Sequence, residues 1–391
     1  MWNYGGLFLF CWWLGLVYSK SVIDPELYNN EFWEQVPPGF LERLQQTLYG
    51  SNYDDYPEYK DEADTSGKLL EVPNWPTSKT NGLIGQVGGI ALDSKGNLVV
   101  FHRADRRWDG WSFGPLNRLD PALGPIQRDV LMRISNKTGE IITQSGAGEY
   151  YMPHGLTIDK DDNLWLTDVG LHQVIKIPQD PNAPGLTLGE KLVPGSDDTH
   201  FCKPTDVAVA SNGDFFVADG YCNGRIMKFS PDGNLTTQWG HVSTGMIPGN
   251  YDFHIPHSLA LDESRDLLCV ADRENGRIQC YSAGLNGTKA GAFRDRFEPG
   301  RGRIYAIEFD STGERLFAVN GPGIGIIEGF TLDRSGNILE TWGPDDQDFP
   351  SQPHDVTVSR DGRDVFVGDI GRPPKVWRFS RRGVPGVTIG K

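Results

Sequence analysis

The sequence predicts an all-β domain, a six-bladed β-propeller behind a short N-terminal extension, and three observations carry that expectation. Glycine and aromatic residues are plentiful, with 48 Gly, 11 Trp, 13 Tyr and 19 Phe in 391 residues, while long amphipathic helical patterns are few. From about residue 80 one unit repeats: an alternating strand, a turn rich in Asp, Gly, Asn or Ser, and a second strand ending near an aspartate, as in Ile158–Asp168, Val209–Asp219 and Val358–Asp369. Equivalent positions fall at 88, 154, 205, 257, 305 and 354, with gaps of 66, 51, 52, 48 and 49. Periods of that size with several strands per unit mean propeller blades.

The elements follow in chain order. Residues 1–19 read as a signal peptide: the apolar run Leu7–Val17 is too short to span a bilayer and ends in Val17-Tyr18-Ser19 before Lys20, with small residues near a cleavage point. A short signal anchor is the alternative. Residues 20–75 form an acidic, partly helical extension, with a short amphipathic helix over Gly39–Tyr49 and a solvated spacer or propeptide over Ser51–Asp64. Residues 76–391 form the propeller domain. Its first repeat gap is long because an insertion follows Phe101 and includes Trp108-Asp109-Gly110-Trp111. A third strand often follows the second, as in Gly224–Phe229, Gly276–Tyr281 and Lys375–Phe379. A strand near Lys68–Val72 is expected to complete the last blade and remove its open edge.

Charge and cysteine usage narrow the class. The net charge of −15 argues against nucleic acid, whose affinity comes largely from basic contacts to phosphate. No second apolar stretch can span a bilayer, so the mature product is expected without a stable membrane anchor. Outside the signal lie Cys202, Cys222, Cys269 and Cys280, two close pairs that could each clip a hairpin, with four buried thiols as the alternative. Asn136, Asn234 and Asn286 open glycosylation sequons suited to surface turns. Together these point to export.

The chemistry sits at the repeat position itself. His154, His257 and His354 occupy it in the second, fourth and sixth blades, whereas Gly88, Thr205 and Tyr305 occupy it in the others. In a closed ring these histidines stand a third of a turn apart, facing one axis. Independent structural histidines have no reason to skip every other blade. Three neutral imidazoles with an open fourth position suit zinc, although imidazole sites also take iron, copper or nickel.

Gly85–Asp93, Phe101–Arg103, Pro153–Leu156, Asp219–Asn223, Ala271–Arg277 and Pro353–Asp355 together resemble the peptidyl-α-hydroxyglycine α-amidating lyases, built on NHL-type repeats. The likeness covers roughly residues 80–385 and implies a zinc-dependent lyase that splits a peptide ending in α-hydroxyglycine into a peptide amide and glyoxylate. It implies a stand-alone lyase of the secretory pathway lumen or secretory granules, whose substrate a separate peptidylglycine hydroxylating monooxygenase supplies. The family's tyrosine maps onto Tyr221 and its arginines onto Arg103 and Arg273, which either stabilise phenolate or hold the substrate carboxylate; zinc-bound hydroxide is the alternative base. A structural calcium is implied on the carbonyls of Ile90 and Leu156 and the carboxylate of Asp355. The implied disulfides are Cys202–Cys222 and Cys269–Cys280. One departure is Gln352, where the family often has methionine. Two other readings are a non-catalytic NHL propeller that binds protein or peptide, and a calcium-dependent, lactonase-like hydrolase with acidic and amide ligands in its channel.

Overall fold

A computed structural model describes residues 67–245, 247–323, 325–344 and 352–381. The signal segment 1–19, the helix expected over Gly39–Tyr49 and the acidic stretch Ser51–Asp64 lie outside them. The described chain from residue 67 onward, apart from the Trp108–Ser112 turn, forms one compact unit. It contains six antiparallel four-stranded sheets, and its order of elements is that of a six-bladed propeller.

Each blade begins with an inner strand: Val87–Leu92, Pro153–Ile158, Pro204–Val209, Pro256–Asp262, Ile304–Phe309 and Pro353–Val358. The repeat position is the second residue of every one. Inner strands of consecutive blades pack against one another, and the sixth returns against the first. In the sixth blade the outermost strand is Leu69–Glu71, paired antiparallel with Val376–Arg381. The ring is thus closed as expected, by a strand drawn from the segment before residue 76.

The alternating pattern buries both faces of a blade only between neighbours. Six apolar clusters fill the six junctions. Phe216, Ala218 and Ile226 of the third blade meet Leu259, Leu268 and Val270 of the fourth, for example. Val87 and Ile90 of the first meet Phe366 and Val376 of the sixth, which seals the ring.

Three of the aspartates ending the second strands are structural clamps. Asp168 accepts from the Tyr151 and Met152 amides, Asp219 from Cys202 and Asp272 from His254, each residue lying just ahead of its blade's inner strand. In the first blade His102 takes that place, its Nδ1 accepting from the Gly85 and Ala104 amides. The long insertion runs from His102 to Leu131; within it, the Trp111 amide and Ser112 Oγ close a turn on Asp109.

Candidate metal centre

Every inner strand carries a register irregularity at the repeat position, between Val87 and Gly89, Pro153 and Leu156, Pro204 and Asp206, Pro256 and Ser258, Ile304 and Ala306, and Pro353 and Asp355. Bulges re-aim side chains next to functional sites. Close approach is built in as well: a Cβ on Gly155 would sit 2.5 Å from the Thr205 carbonyl, and one on Gly88 would sit 2.6 Å from that of His154.

The bulges bring the three histidines together. Ring centroids of His154, His257 and His354 are 4.7 to 4.9 Å apart, and all three side chains are buried. Each Nδ1–H donates to a main-chain carbonyl of the following blade: His154 to Thr205 at 2.8 Å, His257 to Tyr305 at 2.6 Å, and His354 to Gly88 at 2.9 Å. A carbonyl can only accept, so the tautomer is fixed and each Nε2 keeps its lone pair. The even blades supply side chains and the odd blades supply backbone.

Burial holds all three imidazoles neutral, well below the usual histidine range; neighbouring imidazoles push His154 and His257 the same way, Arg103 pushes His154 and His354, and Arg273 pushes all three. One ligand atom from each lies within 4.8 Å of the others, and His354 Nε2 is buried without a hydrogen-bond partner among the described residues. Neutral, convergent and partly orphaned nitrogens fit a metal ion.

Tyr221 leans over this triangle. Its hydroxyl lies 2.9 Å from His154 Nε2 and 3.2 Å from His257 Nε2, and Arg273 Nη1 donates to it at 3.3 Å. The turn that carries it is pinned on both flanks. Cys222 is bonded to Cys202, while Asp219 accepts from the Cys202 amide, Asn223 Nδ2 and Arg225 Nε. The other disulfide, Cys269–Cys280, joins paired residues of adjacent strands inside the fourth blade. Disulfides of this kind form in oxidising compartments.

Both arginines are fully buried. Arg103 gives Nε to the Pro153 carbonyl and Nη1 to Gln86 Oε1, at 3.0 Å each. Arg273 pairs through Nε with Glu274 at 2.9 Å, and its guanidinium lies 4.8 Å from the Tyr305 ring centre and 5.3 Å from that of Tyr221.

Below the histidines the inner strands carry acids. Asp355 Oδ2 accepts from the Ile90 amide at 2.7 Å, and a Cβ on Gly89 would sit 2.5 Å from the Leu156 amide, so Ile90, Leu156 and Asp355 are neighbours. Asp206 repeats the arrangement one position after Thr205, accepting from the Leu259 amide at 2.8 Å. Burial pushes Asp206 up to about 7, Glu308 up to about 8 and Asp355 well above the carboxylate range, and the charges of Asp206 and Glu308 add to the rise at Asp355. Crowded, half-buried carboxylates are the donor set a hard cation relieves.

Gln352 is half-buried, its carbonyl accepting from the Ile370 amide just before the sixth inner strand. Asn234 and Asn286 are exposed in turns, and Asn136 is half-buried in one. Among the described residues no helix is long and apolar enough to cross a membrane. The sequence reading passed over Gln86, Asp206, Glu274 and Glu308. Asp206 was detectable as the repeat partner of Asp355, and Glu274 lies within a quoted motif; the odd-blade carbonyls carry no residue-type signal at all.

The NHL repeat family matches residues 201–229 and 253–281. Peptidyl-α-hydroxyglycine α-amidating lyase 2 of Drosophila melanogaster is 41% identical over 319 residues, covering 79% of this chain and 74% of that protein. Peptidyl-glycine α-amidating monooxygenase B of Xenopus laevis is 45% identical over 322 residues, 80% of this chain but 35% of its own length. The chain thus spans about a third of such monooxygenase relatives. Among solved structures, a gluconolactonase of Xanthomonas campestris superposes with a TM-score of 0.51 at 15% identity, covering 81% of this chain and 98% of that one, a likeness of fold.

Proposed function

The chain belongs to the peptidyl-α-hydroxyglycine α-amidating lyases, and from that premise we propose that it cleaves peptidyl-α-hydroxyglycine to a peptide amide and glyoxylate, with zinc at the histidine triad. The convergence of His154, His257 and His354 beneath the Tyr221 hydroxyl carries this reading. Zinc bound there supplies a Lewis acid that lowers the pKa of the substrate hydroxyl.

The chain's own groups account for the proton movements. The substrate carbon bears a hydroxyl, an amide nitrogen and a carboxylate. Tyr221, as phenolate, takes the hydroxyl proton; the C–O bond becomes the carbonyl of glyoxylate as the C–N bond breaks, and the Tyr221 phenol returns that proton to the amide nitrogen. A free phenol titrates near ~10 and is a weak base at neutral pH, so it needs a cation beside it. Arg273 is in that position, its Nη1 toward the phenol oxygen. Arg103, anchored elsewhere through Pro153 and Gln86, is assigned the substrate carboxylate. Calcium is proposed at Asp355 with the Ile90 and Leu156 carbonyls, as a brace for the strand carrying His354. The lactonase-like alternative expects carboxylate and amide ligands where the imidazoles converge, and the triad disfavours it. The disulfides support a secreted or granule-lumen location.

The test is release of glyoxylate from an N-acyl-α-hydroxyglycine, before and after chelation with metal add-back. Activity lost on chelation and restored by zinc is expected. Folded, zinc-loaded protein that releases none would overturn the reading.

A further inference from the structure

We propose that Glu274 is a positioning residue that aims Arg273 at Tyr221, and that Arg303 holds Glu274 in place; this rests on the lyase reading above. The two residues follow the second strand of the fourth blade, and their main chain is tied down, the Arg273 amide to the Ile255 carbonyl and the Glu274 amide to that of His254, at 3.0 Å each. Glu274 then spends one oxygen on each of two arginines. Oε1 meets Arg273 Nε at 2.9 Å, and Oε2 meets Arg303 Nε, from the start of the fifth blade, at 2.8 Å. The carboxylate is 6% exposed and the Arg273 side chain 0%.

Guanidinium geometry makes this arrangement directional. The fork is planar and rigid, so fixing Nε fixes the direction of Nη1. Here Nη1 points to the Tyr221 hydroxyl, with the guanidinium carbon 5.3 Å from the Tyr221 ring centre and 4.8 Å from that of Tyr305. A buried guanidinium beside neutral imidazoles also needs an opposite charge close by, because a lone buried charge is strongly unfavourable. Glu274 thus supplies both charge balance and aim. Arg303, engaging the second oxygen, keeps the carboxylate from turning away and ties the fourth blade to the fifth.

Charge and aim separate experimentally. Glu274→Ala and Glu274→Gln remove the same charge, but glutamine retains an oxygen for Nε. We expect Glu274→Ala to lower kcat about 10- to 100-fold, while KM, zinc content and calorimetric affinity for an unreactive N-acylglycine stay within about twofold. Glu274→Gln should return kcat to within about threefold of the parent, and crystal structures should show the Arg273–Tyr221 contact kept with Gln and lost with Ala. Arg303→Met, which leaves the Arg273–Glu274 pair in place, should lower kcat about threefold. Equal losses in the Ala and Gln variants, parental kcat in both Glu274→Ala and Arg303→Met, or weakened N-acylglycine affinity with kcat intact would each overturn the positioning role. Failure of the lyase reading is seen separately, as absence of glyoxylate from zinc-loaded parent protein; the crystallographic contact still decides whether Glu274 aims Arg273.

Discussion

The even and odd blades share one backbone and are used in opposite ways. All six inner strands are irregular at the same position, yet in the second, fourth and sixth blades the side chain there points to the axis as an imidazole. In the first, third and fifth the residue contributes its carbonyl, which receives the Nδ1–H of the histidine before it. A ligand therefore needs a carbonyl from the next blade to fix its tautomer, while the alternation itself follows from threefold spacing around the axis. An odd blade offers Gly88, Thr205 or Tyr305 at no loss, because a main-chain acceptor is independent of residue type.

Breaking an even position should therefore do far more than changing an odd one. His257→Ala removes a ligand atom, and we expect loss of bound zinc and a fall in kcat/KM beyond about 1000-fold, with the β-type circular dichroism spectrum retained. Tyr305→Phe keeps the ring against His257 and the carbonyl that receives its proton, so zinc stays and activity falls by less than about tenfold. Comparable zinc loss in the two variants would erase the distinction between blades.

Tyr221 refines the contrast, since it belongs to an odd blade but acts through its side chain. Tyr221→Phe retains all three imidazoles, so zinc content should be unchanged while kcat drops about 100- to 10,000-fold, the usual range for losing a general base. Full turnover in that variant would remove the phenol from the mechanism.

The two disulfides separate chemistry from stability in the same way. Cys202–Cys222 flanks Tyr221, whereas Cys269–Cys280 lies in the fourth-blade sheet with both residues fully buried. Replacing the first pair by serine should lower kcat about tenfold through a looser Tyr221. Replacing the second should cost about 2–5 kcal/mol of stability by denaturant unfolding while leaving the kcat of folded protein unchanged. The reverse pattern would contradict the assigned roles.

How much of this was legible depended on what a repeat preserves. Strand alternation, blade period and the histidine skip are written in residue types, so the ring, its closing strand and the triad could be read directly. The acids of the channel were half legible: Asp355 came with the family resemblance and Asp206 stands at its repeat position, while Glu308 looks like an ordinary polar position on a half-buried strand. The aspartates ending the second strands were visible as a pattern but silent as to role, because only the fold reveals that Asp168, Asp219 and Asp272 hold the segments leading into their inner strands. The tautomer-fixing carbonyls and the bulges were invisible, since backbone direction leaves no trace in composition. Glu274 was masked by adjacency, because a carboxylate next to Arg273 in sequence meets it only after a particular turn.

The smallest expected effect concerns the first blade, where His102 replaces the usual second-strand aspartate and accepts two amides as a neutral imidazole. Burial holds it down to about 4, against 6.5 when exposed, with Arg128 adding to the shift. A histidine with a depressed folded pKa binds its proton more readily when unfolded. Its contribution is therefore intact above pH 6.5 and is lost as pH falls toward 4, at up to about 1.4 kcal/mol per pH unit. Buried acids such as Asp369, pushed up to about 7, act with the opposite sign over part of the same range, so the parent's total slope mixes the two. The difference between the parent and His102→Asn isolates one side chain. Asparagine stands at the matching place in the fifth blade, where the Asn320 oxygen accepts the Glu328 amide. Unfolding midpoints measured between about pH 7 and pH 5 should fall less in His102→Asn than in the parent, with the two curves parting below about pH 6.5. Parallel curves would mean that His102 is no more buried against its proton than an exposed histidine, and the first blade would then be clamped by something other than its imidazole.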